Sequence, residues 1–278
     1  IKSAKEMATD RFPGYVAPRF IFRMAQSENL LPFVLGVHRA PLALPALRAA
    51  GGPWSILDEA EIRRLGFTQT ARRFAAINQK LKTVGKGKSL QQRIDERGKL
   101  SKQIFGTTGY LILAGAGGKI ICAACVPVAQ AQDLVVDQTL YWKVVADADE
   151  SWYQVGMLNS VALTNATLAF NPKGDFGERH LHTLPYRMMP AYDAGNGDHQ
   201  KIAVLAKDIA ILADGHCTTD PYLADPVKAL TARRRKLRTL LEASPLLAQL
   251  ETLTQSALAG ASTAPSGGSG SATQAPPC

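Results

Sequence analysis

The sequence predicts a mixed α/β (α+β) fold: a small antiparallel or mixed sheet with a hairpin, flanked by helices, then a helical C-terminal part and a disordered tail. Three observations predict it. Two apolar runs, Tyr110–Ala114 and Lys119–Val126, are joined by Gly115-Ala-Gly-Gly118, a turn able to take positive φ, which is a hairpin signature. Helix starts recur, with a capping residue or a Pro ahead of periodic apolar residues at Asp58, Asp147, Asp198, Asp225-Pro226 and Ser244-Pro245. Residues 260–278 are nearly all Gly, Ser, Ala, Thr and Pro, a composition with too little apolar surface to fold.

Taken in order, residues 1–60 are interrupted by Pro13, Pro18, Pro32, Pro41, Pro45 and Pro53. The short apolar pieces between them suit strands and turns better than long helices. Asp58 then precedes Glu59-Ala-Glu-Ile-Arg-Arg64, with acids in the first turn of a helix. Phe74, Ile77 and Leu81 place a second helix over about Thr70–Leu81, its other face largely basic. Val84–Ser89 breaks that helix, and helical character resumes over Leu90–Ile104. Beyond the hairpin, Leu134–Val145 reads as one strand. Leu134, Val136, Leu140, Trp142 and Val144 share one face, and Asp137, Thr139, Tyr141 and Lys143 the other.

Asp147-Ala-Asp-Glu150 offers a capping box for a helix of about 151–169, carrying Trp152, Val155, Asn159, Ala162 and Ala166 on one stripe. Asn171–Gly177 reads as a loop. The next helix starts near Asp198 and is expected to stop at Gly215, as a C-terminal cap. Two more follow at about 226–242 and 245–258, the first containing Arg233-Arg-Arg-Lys-Leu-Arg238. These elements suggest four regions: a Pro-rich and basic helical segment (1–105), a hairpin, strand and helix core (106–198), a helical segment (199–258) and the tail (259–278).

Charge is the most informative feature for function. Of 32 Lys and Arg against 23 acids, twelve basic and three acidic residues lie within 61–102, giving +9 there, and the rest of the chain sums to zero. The basic residues are Arg63, Arg64, Arg72, Arg73, Lys80, Lys82, Lys86, Lys88, Arg93, Arg97, Lys99 and Lys102, and the acids Glu61, Asp95 and Glu96. A local surplus makes a field that holds phosphates, whereas a diffuse one mainly aids solubility. A solvated basic helix face is the alternative reading of the same run. No apolar run reaches the roughly 18 residues needed to span a bilayer, so no membrane partner and a cytoplasmic location are expected. Ile1 stands where a Met would start a chain, and residues 1–6 lack the apolar core of a signal peptide, which suggests a piece of a longer polypeptide.

Motifs for chemistry are thin. Cys122-Ala-Ala-Cys125 has a metal or redox spacing, but on a strand residues three apart point to opposite faces, and no second ligand pair has zinc-site spacing. No metal is expected. Gly115–Lys119 lacks the spacing of a phosphate loop, and Ile120 stands where a dinucleotide fingerprint needs its third Gly. His180 and His182 flank Leu181 beside Arg179, an arrangement suited to a ligand pair or phosphate contacts, or to a structural role. No Ser sits in a nucleophile elbow, and no Cys has an evident His base.

A series of segments carries a family resemblance: Arg97-Gly-Lys-Leu-Ser-Lys-Gln103, Tyr110 with Gly117-Gly118, Val136-Asp-Gln-Thr-Leu-Tyr-Trp142, Trp152-Tyr153, Met157-Leu-Asn-Ser160, Phe176-Gly-Glu-Arg-His180, Met189-Pro-Ala-Tyr-Asp193 and His199. In order and spacing, over about residues 95–212, these resemble the C-terminal target-recognition (TaqI-like specificity) region of large adenine-specific (N6) DNA methyltransferases of the restriction and phage-defence type. The resemblance implies a region that grips double-stranded DNA. An upstream domain, in cis or in trans, would bind S-adenosylmethionine and methylate the adenine amino nitrogen. Neither the cofactor motif nor the Asn-Pro-Pro-Tyr or Asp-Pro-Pro-Tyr catalytic tetrapeptide occurs in this chain, so it carries no catalytic residue and no cofactor of its own on this reading.

The residues themselves fit that expectation. Arg72, Arg73, Lys80, Lys82, Lys86, Lys88, Arg93, Arg97, Lys99 and Lys102 suit phosphate contacts. Gln138, Tyr141 and Lys143 on the third strand, with Arg179 and His180, are the candidates nearer to bases, because an Arg fork matches guanine and an amide matches adenine. The alternative is a non-catalytic RNA-binding or scaffolding protein using the same basic surface.

Overall fold

The computed structural model describes residues 13–36, 41–84, 87–115, 120–168, 170 and 184–263, which fold into a mixed α and β structure. The strands are β1 (Ile21–Ala25), β2 (Leu30–Leu31), β3 (Val34–Leu35), β4 (Pro41–Ala43), β5 (Ala46–Arg48), β6 (Trp54–Ile56), β7 (Tyr110–Gly115), β8 (Ala123–Pro127), β9 (Leu134–Val136) and β10 (Leu140–Val145). The helices are α1 (Glu59–Arg64), α2 (Thr68–Val84), α3 (Leu90–Ile94), α4 (Ala148–Asn159), α5 (Val161–Leu168), α6 (Leu184–Met188), α7 (Gly197–Thr219), α8 (Pro221–Ala224), α9 (Leu230–Glu242) and α10 (Pro245–Thr263).

The chain divides into two compact units that interleave in sequence. The first takes residues 1–24, 40–107 and 132–135, the second 25–39, 108–131 and 136–278.

In the first unit, Pro-punctuated residues give short strands, as the sequence predicts. β4, β1 and β9 form one sheet, with Phe22 opposite Leu42, and β5 pairs with β6 as a hairpin. Arg23 binds Asp133 through the Nε and Nη2 edge of its guanidinium, and its backbone N–H donates to the Asp133 carbonyl at 2.9 Å. Two apolar clusters hold the unit. Phe20, Ile62, Ala71 and Phe74 form one, where Phe20 meets Phe67 edge-on at 5.3 Å, and Phe22, Leu44, Trp54, Leu100 and Val135 form the other. Each fully buried Phe contributes about 1.5–3 kcal/mol relative to leaving it exposed.

Asp58 caps α1 in a reciprocal box with Glu61. The continuous helix expected over Leu90–Ile104 is corrected: α3 stops at Ile94. Asp95 turns its carboxylate onto the N–H groups of Leu100 and Ser101, and Arg97 sits at φ 63°, a left-handed conformation no helix continues through.

In the second unit, β7 lies between β10 and β8 in an antiparallel sheet, with Leu113 opposite Trp142 on one side and Ala124 on the other. The hairpin is therefore as expected, and its residues 116–119 lie outside the described residues. Helix α7 buries Ile202, Ala203, Ala206, Ile209, Ala210 and Ala213 along one stripe against α4. Close approach is possible because Gly156 stands at the crossing: a Cβ there would lie 3.0 Å from Ile202 Cγ2 and 3.1 Å from Ala206 Cβ.

Four further expectations are corrected in this unit and at its edge. Leu134–Val145 is two strands, β9 and β10, in different sheets; Asp137 accepts from the N–H of Thr139 and, through its carbonyl, of Leu140, making a turn between them. The helix of 151–169 is α4 and α5, broken at Ser160 (ψ 145°), whose hydroxyl caps the second helix at the Leu163 N–H. Helix α7 runs through Gly215 to Thr219, ended by Asp220-Pro221, where Asp220 caps α8. Asp225 accepts from the Val227 N–H in a local turn, so the helix placed at 226 begins at Leu230. The loop read at 171–177 and the tail from 264 lie outside the described residues.

Candidate nucleic-acid interface

All eleven described basic residues of 61–102 belong to the first unit, and none is buried. Arg63, Arg64, Arg72, Lys82, Lys88, Arg93, Arg97, Lys99 and Lys102 are exposed, and Arg73 and Lys80 half-buried. Lys86 lies outside the described residues. The three acids of the segment are engaged close by. Glu61 is turned onto the Asp58 N–H in the α1 capping box, and Asp95 onto two backbone N–H groups. Glu96 pairs with Lys88 at 2.7 Å, a hydrogen bond that holds the Glu96 carboxyl below its usual range. Among the described residues, no ion pair within 4 Å involves Arg63, Arg64, Arg72, Lys82, Arg97 or Lys102.

The basic groups surround α2 rather than lining it. Its inner face is Thr70, Ala71, Phe74, Asn78 and Leu81, all buried. At 100° per residue, Arg72 points directly away from that face, Arg73 and Lys80 lie on one flank and Lys82 on the other. Arg73 is tied down by donating to the Gly14 carbonyl. The helix itself is fixed by Thr70, which accepts from the Ala17 N–H at 3.0 Å, and by Asn78, which donates to Glu59 on α1 and accepts from the Leu90 N–H that opens α3.

One cation of this unit points inward, and no sequence signal marks it. Arg48 is stacked between Phe105, at 4.2 Å from its ring centre, and Trp54, at 5.1 Å, while its guanidinium donates to the Gln103 carbonyl at 3.0 Å. Burial lowers its pKa to about 10, which still leaves it charged at neutral pH.

The base-reading candidates belong to the second unit. Gln138 sits exposed in the turn between β9 and β10, not on a strand beside Tyr141 as expected. Tyr141 is half-buried on β10, opposite Ala114. Lys143 is exposed on the same strand, with its ammonium 3.4 Å from Gln154 Oε1 and 5.6 Å above the Tyr186 ring. Arg179 and His180, with His182, lie outside the described residues.

The sequence's other basic run behaves in the opposite way. On α9, Arg233 is buried and donates twice to the Leu223 carbonyl, at 2.9 and 2.7 Å, and once to that of Glu28. Arg234 reaches the carbonyls of Leu30 and Ser27. Arg238, also buried, donates to the Asn159 carbonyl at 2.7 Å and pairs with Glu251, which in turn accepts from the Val161 N–H at the start of α5.

A comparison with protein-family profiles gives no match, and a comparison with curated protein sequences gives none. Among solved structures the chain is similar to the Type IIL restriction-modification enzyme MmeI in complex with DNA. Identity is 15%, the TM-score 0.46, and the match covers 87% of this chain and 31% of that enzyme. The chain thus spans about a third of the length of the protein it matches.

Among the described residues, the cysteines offer no reactive centre. Cys122 is buried, its Sγ near the Ile120 carbonyl, whereas Cys125 directs its Sγ to the Ser151 hydroxyl at 3.6 Å. Burial raises both thiols, Cys125 to about 11, so the nucleophilic thiolate is scarce at neutral pH. Among the described residues, no three His, Cys, Asp or Glu side chains gather as metal ligands, and no helix is long and apolar enough to cross a membrane.

Proposed function

We propose that this chain is the DNA-recognition region of a site-specific adenine-N6 DNA methyltransferase. It would hold duplex DNA through the basic surface of its first unit, while a catalytic domain outside this chain supplies S-adenosylmethionine and the transfer chemistry. The observation that carries the reading is that the net +9 of residues 61–102 falls in a single unit, whose described basic residues in that segment are all exposed or half-buried. A folded surface of that kind exchanges its counterions for phosphates. The methyltransferase assignment adds the sequence resemblance over residues 95–212, and the absence from this sequence of a catalytic tetrapeptide gives the chain the binding role alone.

Titration of labelled duplex DNA at several salt concentrations tests it. Affinity should fall steeply, with a log–log slope of about −0.9 for each phosphate contacted, and excess structured RNA should compete poorly. Equal competition by RNA would favour the RNA-binding alternative, and binding indifferent to salt would overturn both.

A further inference from the structure

We infer that α1, the turn Leu65-Gly66-Phe67 and α2 form a helix-turn-helix reading head, in which Gln69, Arg72 and Gln79 on α2 face base edges in the major groove. The inference rests on the duplex-binding reading above and deepens it by naming the element that reads sequence.

Three observations lead to it. The connection is three residues long and its Gly66 lies at φ +89°, a conformation in which glycine is strongly preferred, as in the short turns that join such helix pairs. The pair is locked as one body. The Phe67 N–H donates to the Ile62 carbonyl at 3.2 Å, Asn78 donates to Glu59 at 3.1 Å, and Ile62, Ala71 and Phe74 share one apolar cluster. The outer face of α2 is uncovered within its unit: Thr68, Gln69, Arg72, Ala76 and Gln79 are all exposed.

The chemistry of that face separates reading from mere attraction. Gln69, Arg72, Ala76 and Gln79 fall at i, i+3, i+7 and i+10, a single stripe on an α-helix. Two of them are neutral amides, which add nothing to the field that attracts phosphates. An amide is, however, the group that pairs in two places with adenine, as a guanidinium does with guanine, and the small Ala76 between them leaves the stripe free to approach the floor of a groove. At 17 residues α2 is about 25 Å long, and a helix fits the roughly 12 Å width of the major groove. Arg63 and Arg64, exposed at the end of α1, are placed to take phosphates beside it.

The test is selection of duplexes from a randomised pool by the full 278-residue chain, followed by sequencing. The parent should enrich a short motif. Gln69→Ala, Gln79→Ala and Arg72→Lys, the last keeping its charge but losing the fork, should each relax one motif position by about tenfold or more, the value of a good bidentate pair. Arg64→Ala should instead weaken every sequence alike and make the salt dependence shallower. Melting curves matching the parent establish that each variant is folded. A motif unmoved by all three α2 variants would overturn the reading head and leave the proposed function standing, whereas salt-dependent duplex binding with no motif at all would overturn the reading head and the site-specific part of the proposed function together. Absence of salt-dependent duplex binding would overturn both.

Discussion

Two basic stretches of this chain have similar sequence appearance and opposite physical roles. None of the described cations of residues 61–102 is buried, and six of them have no ion-pair partner among the described residues. Residues 233–238 turn Arg233 and Arg238 into the second unit, where backbone carbonyls and Glu251 receive them. The difference follows from what surrounds each stretch. In the first, apolar positions such as Phe74 and Leu81 fill the inner face of α2 and leave only the outside for charge. In the second, helices that end near α9 present unsatisfied carbonyls, Asn159 at the end of α4 and Leu223 in α8, and a guanidinium with five donors can satisfy several at once. A run of arginines therefore indicates polyanion binding only where nothing inside the fold needs those donors.

The comparison can be broken most directly at Arg238. Arg238→Ala removes one half of a buried pair and should cost about 3–5 kcal/mol in denaturant unfolding; a loss below 1 kcal/mol would show the inward run to be dispensable. Arg233→Ala follows, leaving the Leu223 and Glu28 carbonyls short of a donor at about 1–3 kcal/mol. For the outward run, combined Arg63→Ala and Arg97→Ala should leave stability within about 0.5 kcal/mol per substitution while weakening duplex binding in the salt titration.

The smallest effect is a pH dependence at Asp220. Its carboxyl is held below its ordinary value of 3.8, first by the hydrogen bond from Lys236 and then by the N–H groups it caps. A lowered folded pKa means that this contribution is complete above the ordinary value and is lost as pH falls through the folded one. The melting temperatures of the parent and Asp220→Asn should therefore differ above pH 4 and converge in stronger acid.

Much of the fold was legible because single residues announce it. Asp58 and Asp147 cap the helices they precede, and the alternating apolar runs at 110–126 pair as a hairpin. The misreadings share one cause, which is that a side chain competes locally with regular structure. Asp137 divides a strand, Ser160 a helix, and Asp225 delays one, each by hydrogen-bonding a backbone N–H two or three residues on. Asp95 likewise holds the chain after α3 in an irregular turn.

For the candidate site, the sequence located the charge but not its geometry. Lys82 and Arg73 leave opposite sides of one helix, and Gln138 lies in a turn. Gln69 and Gln79 do not register in a count of charge, although their spacing opposite Phe74 is legible in the sequence. Arg48 gave no local signal, since its aromatic neighbours come from β6 and from residue 105.

The interleaving of the units has a consequence for biosynthesis. Strand β9 contributes Leu134 and Val135 to the first unit, so its sheet lacks an edge until those residues have left the ribosome, by which time the second unit's hairpin has already emerged. Transplanting the basic unit into another protein would likewise require rejoining its three segments, 1–24, 40–107 and 132–135, because a cut after residue 107 alone removes Asp133 from Arg23 and Gln132 from Gly51.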